Sequence, residues 1–169
     1  MKFIFGKGEQ LREKLKDFPP RWVNLFLPSK ILVIGVVDNN AVAAYGIRSI
    51  FNVAVLYVKE GYRNHGIGRK MWEKAYNVAR KRGIHFFTAE TPFRHLSSAY
   101  GLLLFSKYRC QVVKRLKKRE TVLMVFPFTV KGDICYVFLR TICSMVPSDF
   151  LGDFVQWMSE RTAPRVIEE

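Results

Sequence analysis

The sequence predicts an α/β or α+β domain built on a mixed sheet, and three observations carry that prediction. Seven short apolar runs are interleaved with single amphipathic stretches. Two of the runs, "KILVIGVVD" and "AVAAYGIR", are joined by a turn signal. The stretch "VKEGYRNHGIGRK", residues 58 to 70, sets two glycines between a β-branched run and a helical one.

"MKFIF" alternates weakly and reads as a short first strand. In "GEQLREKLKDF", Leu11, Leu15 and Phe18 stand at i, i+4 and i+7, an amphipathic helix stopped by Pro19 and Pro20. "RWVNLF" reads as one more short helix, ended before Pro28. "KILVIGVVD" and "AVAAYGIR" form a hairpin, because the Asp and Asn residues of "DNN" tolerate left-handed turn conformations. "FNVAVLYV" is a further strand. From Gly66 onward, Ile67, Met71, Ala75 and Val78, with Trp72 and Ala79, fall on one helical face, and Gly83 closes the helix. "IHFFTAE" reads as a buried strand, and "LSSAYGLLLFSKY" as a helix starting near Ser97 or Ser98. "CQVVKRLKK" and "ETVLMVFPF" read as two strands around a charged turn. Beyond residue 130, "ICYVFLRTI" reads as a further strand or an apolar arm. "SDFLGDFVQWMSER" reads as a helix with Ser148 as N-cap, its apolar side crowded by Phe150, Leu151, Phe154, Val155, Trp157 and Met158. So much apolar surface has to be buried on the domain or against another chain.

A chain of 169 residues supports one domain with a real core. Its 49% apolar and 25% charged residues exclude global disorder. The net charge of +14 favours anionic partners and says nothing about fold. The charge is uneven: residues 1 to 130 hold 24 Lys and Arg against 8 Asp and Glu, whereas residues 131 to 169 hold 4 against 6. Cys110, Cys135 and Cys143 form no Cys-x-x-Cys pair and have no His at ligand spacing, so they read as buried reduced thiols and no metal is expected. The N-terminal apolar run is too short for a signal peptide. "ICYVFLRTICSMV", with an Arg inside it, falls short of a membrane span. The expected setting is cytoplasmic.

The glycine stretch is built like an anion cradle. The first turn of a helix leaves N–H groups unpaired at the positive end of the dipole. Gly66 and Gly68 remove the Cβ atoms that would keep a phosphate away, and Arg63, Arg69 and Lys70 add charge. It is not a Walker loop, since "GRK" lacks the hydroxyl, and a dinucleotide fingerprint would need a glycine where Met71 stands.

"LYVKEGYRNHGIGRKMWEKAYNVARKRG" resembles the signature segment of the GCN5-related N-acetyltransferases, with Arg63-Asn-His-Gly66-Ile-Gly68 on the pattern Arg/Gln-x-x-Gly-x-Gly/Ala. The resemblance covers roughly residues 1 to 128. It implies a mostly antiparallel sheet of about seven strands flanked by helices, splayed after the strand ending at Val58, with 52 to 58 and 84 to 90 as neighbouring strands. It implies an acyltransferase domain over 1–130 and a C-terminal extension over 131–169, packed on the domain or at an interface. The cradle would then hold the pyrophosphate of acetyl-coenzyme A on Arg63, Asn64, His65, Gly66, Ile67 and Gly68, aided by Arg69 and Lys70. The strand around Leu56, Tyr57 and Val58 would pair with the pantetheine arm. No further cofactor is implied.

The expected chemistry is direct acetyl transfer to a primary amine, with no acyl-enzyme nucleophile. The family often draws its general acid from a Tyr in Asn-x-x-Ala-x-x-x-Tyr-x-x-x-Gly-Phe. Here Ser98 falls at the Asn, counted with the cofactor residues, and Phe105 falls at the Tyr. Tyr108 is the nearest replacement acid and Glu90 a base acting through water; each also reads as structural, Tyr108 as a core-rim residue and Glu90 as a solvated carboxylate. "FNVAVLYV" carries no acid where many relatives keep a Glu, and His85 and His95 read as structural or surface residues. The acceptor, a small molecule or a protein or peptide amino group, stays open. The rival readings are an acyl-coenzyme A or partner binder without catalysis, and a nucleic-acid module using "RKRG" and "VVKRLKKRE". The extension offers a surface for a homodimer.

Overall fold

A computed structural model describes residues 1–48, 51–93, 111–117, 120–151 and 153–154. The chain divides into two compact units, the first holding Met1–Gly83 and the second spanning Ile84–Arg161. All seven expected strands are present, and every ladder among the described residues is antiparallel.

The first unit contains β1 (Lys2–Gly6), α1 (Arg12–Leu15), α2 (Pro20–Phe26), β2 (Ser29–Val37), β3 (Asn40–Arg48), β4 (Ala54–Val58) and α3 (Ile67–Lys81), with a sheet in the order β1-β2-β3-β4. The β2–β3 hairpin turns through Asp38 and Asn39 at φ 47° and 64°. Two successive positive φ values define the turn whose twist matches that of paired strands. The helix expected from Gly8 is reduced to a 3-10 turn over Glu9–Leu11 followed by one α turn. Pro19 stands extended at ψ 138° and Pro20 opens α2, so the chain restarts as a new helix.

Helices cover both faces of this sheet. Leu15, Phe18 and Phe26 pack with Leu32, Ile34 and Ala44 on one face. On the other face Trp72 of α3 meets Tyr45 edge-on at 5.7 Å, and Met71, Ala75 and Ala79 are fully buried. That is why β2 and β3 read as nearly continuous apolar runs instead of alternating ones.

The second unit contains β5 (Phe86–Pro92), β6 (Gln111–Leu116), β7 (Thr121–Pro127) and α4 (Val130–Met145), with its sheet in the order β5-β7-β6. Residues 52 to 58 and 84 to 90 are therefore not ladder neighbours: β4 and β5 each edge their own sheet. The outer carbonyl of Val58 already accepts a bond from Arg63 Nε at 3.1 Å.

"ICYVFLRTI" is neither strand nor arm but the body of α4. Thr129 caps it, its side chain accepting the Gly132 N–H at 3.2 Å. Lys114 Nζ donates to the carbonyls of Cys143 and Val146 at the other end, where cations are favoured. Only Gly132, Tyr136 and Cys143 are buried on this helix. Residues 148–151 and 153–154 are also helical, with the Leu151 N–H bonded to Pro147 O, so Ser148 lies inside the first turn and not ahead of it.

Gly132 lets the start of α4 lie against main chain, since a Cβ there would stand 2.2 Å from His85 O. Gly132→Ala is therefore expected to destabilise the protein by about 1–3 kcal/mol, because overpacking outweighs the ~1 kcal/mol that Ala gains in helix propensity. At Gly61 an added Cβ meets nothing within 4 Å. Gly61→Ala should lie between neutral and about 1 kcal/mol stabilising, and urea denaturation of the two variants checks the pair.

Candidate functional site

The site begins at the outer edge of β4. Arg48 N–H bonds to Val53 O at 2.8 Å and Lys59 N–H to Val42 O at 2.9 Å, with Tyr57 opposite Ala44 between them. An antiparallel ladder bonds every second residue of a strand to a given neighbour. Residues 53, 55, 57 and 59 thus turn their main-chain groups to β3, and Leu56 and Val58 turn theirs outward. Tyr57 cannot serve a ligand as its two neighbours can. Its ring packs in the core, 4.8 Å from Trp22 and 5.6 Å from Phe18.

After a 3-10 turn over Glu60–Tyr62, the chain reaches Arg63, whose guanidinium reaches back to Val58 O and lies 6.0 Å from the Tyr57 ring. Asn64 takes φ 63° and Gly66 φ 70°. This left-handed pair swings the chain from the strand edge into α3. The His65 ring donates from Nδ1 to the Arg63 carbonyl at 2.6 Å and ties the loop to itself. Arg63, Asn64, His65 and Gly66 are all exposed.

The first intrahelical bond of α3 runs from Lys70 N–H to Gly66 O at 3.1 Å. The amides of Ile67, Gly68 and Arg69 therefore have no helical acceptor. The N-cap is a glycine with no side chain to cap them, and no acid stands in the first turn. A Cβ on Gly66 would meet nothing within 4 Å. The space beside Gly66 is thus open, and the unpaired amides make it electropositive and suited to a phosphate group. Lys70 is exposed beside it. Arg69 is turned along the helix instead, its Nε 3.0 Å from Glu73 Oε1.

The structure thus brings together Leu56, Val58 and residues 63 to 70 in one unit. Glu90 lies in the other, on β5, where Thr121 Oγ1 donates to its Oε1 at 2.7 Å from the diagonal position on β7. Ser98, Phe105, Tyr108 and Cys110 lie outside the described residues. Glu73 is the residue that the sequence reading missed. The (i, i+4) spacing from Arg69 was its only signal, and such spacings are common on helices.

Residues 7–98 match the model of the acetyltransferase (GNAT) family. Among solved structures, the chain is similar to an acetyltransferase of Bacillus subtilis in complex with CoA, at 14% identity over 76% of this chain and 99% of that one, TM-score 0.56. It is similar to a GNAT-family acetyltransferase from Staphylococcus aureus, at 16% identity over 76% and 100%, TM-score 0.54. It is also similar to the diaminobutyrate acetyltransferase of Paenibacillus lautus in complex with L-2,4-diaminobutyric acid and coenzyme A, at 14% identity over 76% and 97%, TM-score 0.52. At these identities the likeness is one of fold. None of the curated proteins matches the sequence. The family match spans more than half of the 169 residues and contains both the β4 edge and the uncapped start of α3: the chain belongs to the acetyltransferase (GNAT) family.

Proposed function

We propose that this chain is an N-acetyltransferase that binds acetyl-coenzyme A along β4 and at the start of α3, and passes the acetyl group directly to a primary amine. One observation carries the reading. The outward main-chain groups of Leu56 and Val58 lead, through an exposed loop, into a helix start with three unpaired amides and no acid in its first turn.

Bound acetyl-coenzyme A supplies a thioester carbonyl open to attack by a neutral amine. The protein binds, orients and moves protons. Leu56 N–H and C=O and Val58 N–H hold the amide-bearing pantetheine arm as a further strand would be held. The amides of Ile67, Gly68 and Arg69 receive phosphate oxygens, with Arg63, Asn64, His65 and Gly66 forming the loop around them. Lys70 adds its charge. So does Arg69, since an exposed pair such as Arg69–Glu73 is worth only about 0.5 kcal/mol and releases it readily. Ser98 belongs to the same cofactor set by its place in the family pattern.

As the C–N bond forms and the C–S bond breaks, the amine loses a proton and the leaving thiolate gains one. Glu90, on the second unit's sheet and held by Thr121, takes the amine proton through water, and Tyr108 protonates the thiolate in place of the family's Tyr, whose position Phe105 holds. The net charge of +14 disfavours a free polycation as acceptor. A protein or peptide amino terminus, or a small neutral or acidic amine, fits the field better. Cys135 and Cys143 are free thiols, in keeping with a cytoplasmic setting.

Gly68 is not among the positive-φ glycines, so Gly68→Val should fold. It is expected to weaken acetyl-coenzyme A binding more than tenfold, about 1.4 kcal/mol, in isothermal titration calorimetry. Unchanged affinity sinks the cradle assignment.

Thiol release from acetyl-coenzyme A, screened over peptide amino termini and small amines, tests turnover. Tyr108→Phe is expected to slow release about 100-fold with little change in binding. Equal rates remove Tyr108 from the mechanism. If no amine yields thiol release while calorimetry still reads binding, the protein moves to the non-catalytic acyl-coenzyme A binders.

A further inference from the structure

α4 is apolar on two opposite sides, and only one of them is used. Gly132, Tyr136 and Cys143 are buried. On the far side Val130, Ile134, Val137, Phe138, Ile142 and Met145 follow helical spacing for four turns, and the least covered of them, Val130 and Met145, are 76% and 72% exposed. Phe150 and Phe154, in the helical residues that follow, are 64% and 40% exposed. Such a stripe exceeds what monomers ordinarily leave in water.

The polar atoms within the stripe are already satisfied. Thr141 Oγ1 donates to Val137 O at 2.9 Å and Ser144 Oγ to Thr141 O at 2.7 Å. The face can therefore be desolvated without orphaning a hydroxyl.

We propose that this face pairs with the same face of a second copy of the chain, α4 against α4 in antiparallel order about a two-fold axis between Val137 and Phe138. Charge separates this occupant from a polyanion or an anionic membrane: the described residues of 131–154 hold Lys131 and Arg140 against Asp133, Asp149 and Asp153, in a chain otherwise strongly basic. The two-fold places Val130 opposite Met145 of the second copy, Ile134 opposite Thr141, and Val137 opposite Phe138. Asp133 and Arg140 lie on one flank of the stripe, and a two-fold keeps each flank against itself. Asp133 of one copy then stands within two residues, about 3 Å of helix rise, of Arg140 of the other. The stripe is self-complementary in both size and charge. The pairing does not rest on the acyl-transfer reading.

Sedimentation equilibrium on the full chain, with and without acetyl-coenzyme A, tests the pairing. The wild type is expected to be a dimer. Ile134→Glu should raise the dissociation constant more than about tenfold, its fold checked by circular dichroism and its acetyl-coenzyme A affinity unchanged. Asp133→Arg and Arg140→Asp should each weaken the dimer, and the double variant should recover it, a result that loss of folding cannot mimic. A wild type that stays monomeric up to about 100 μM, where a pairing of this size would be mostly dimer, overturns the proposal. So does a dimer that survives Ile134→Glu. Co-sedimentation of a monomeric wild type with phosphatidylserine vesicles, lost in Ile134→Glu, overturns it in favour of a membrane.

Discussion

The candidate site depends on one backbone constraint, the left-handed passage through Asn64 and Gly66. A strand edge and a helix start both carry unpaired main-chain groups, and both are costly if buried without partners, about 1–3 kcal/mol for each group. Placed end to end by a short exposed loop, they form a continuous line of polar backbone along which an extended, amide- and phosphate-bearing ligand is complementary. A β-branched residue at Gly66 would strain this passage even though nothing crowds it.

The loop itself has few contacts that could hold the geometry, so the core must do so. Met71, Trp72, Ala75 and Ala79 anchor α3 on the sheet, with Met71 and Trp72 each worth roughly 1.5–3 kcal/mol of apolar burial. On the opposite face, Phe18 and Trp22 fix Tyr57. Because Tyr57 is held by its ring and by β3, the Leu56 and Val58 groups beside it cannot rotate out of register. The outer edge of β4 is as rigid as the aromatic packing behind it. Arg63 adds a clasp from the loop to the strand end, which gives it a structural role in addition to its charge.

Local chemistry determined how much of this was legible in the sequence. The β2–β3 turn, the face of α3 and the glycine at its mouth follow from Asp38-Asn39, from the 3.6-residue spacing of Ile67, Met71 and Ala75, and from Gly66, and they stand as expected. The separation of Tyr57 from Leu56 and Val58 was not legible, since the parity of a ladder depends on which residue of β3 lies opposite. The division of the strands into sheets of four and three was hidden for a related reason. Edge pairing is set by tertiary geometry, and alternation within a strand carries no trace of it. In α4, apolar residues on two sides erased the contrast that reveals a helical period, and its β-branched and aromatic residues mimicked a strand.

That double-sided helix also bears on how the charge of the chain is distributed. A net charge of +14 makes copies of one protein repel, and the repulsion is weakest where basic residues are fewest. Among the described residues after 130, Lys131 and Arg140 stand against Asp133, Asp149 and Asp153, and the same stretch holds the exposed apolar stripe. Hydrophobic association is short-ranged, while screened repulsion between like-charged bodies reaches about 8–10 Å at ordinary salt. An apolar surface inside a basic field would be kept from its own copy; one set in a slightly acidic region would not. The basic first unit, in turn, keeps its field for the anionic ligand suited to the start of α3. Segregation of charge along the sequence thus suits one small chain both to the proposed anion site and to the proposed self-pairing face, without either opposing the other.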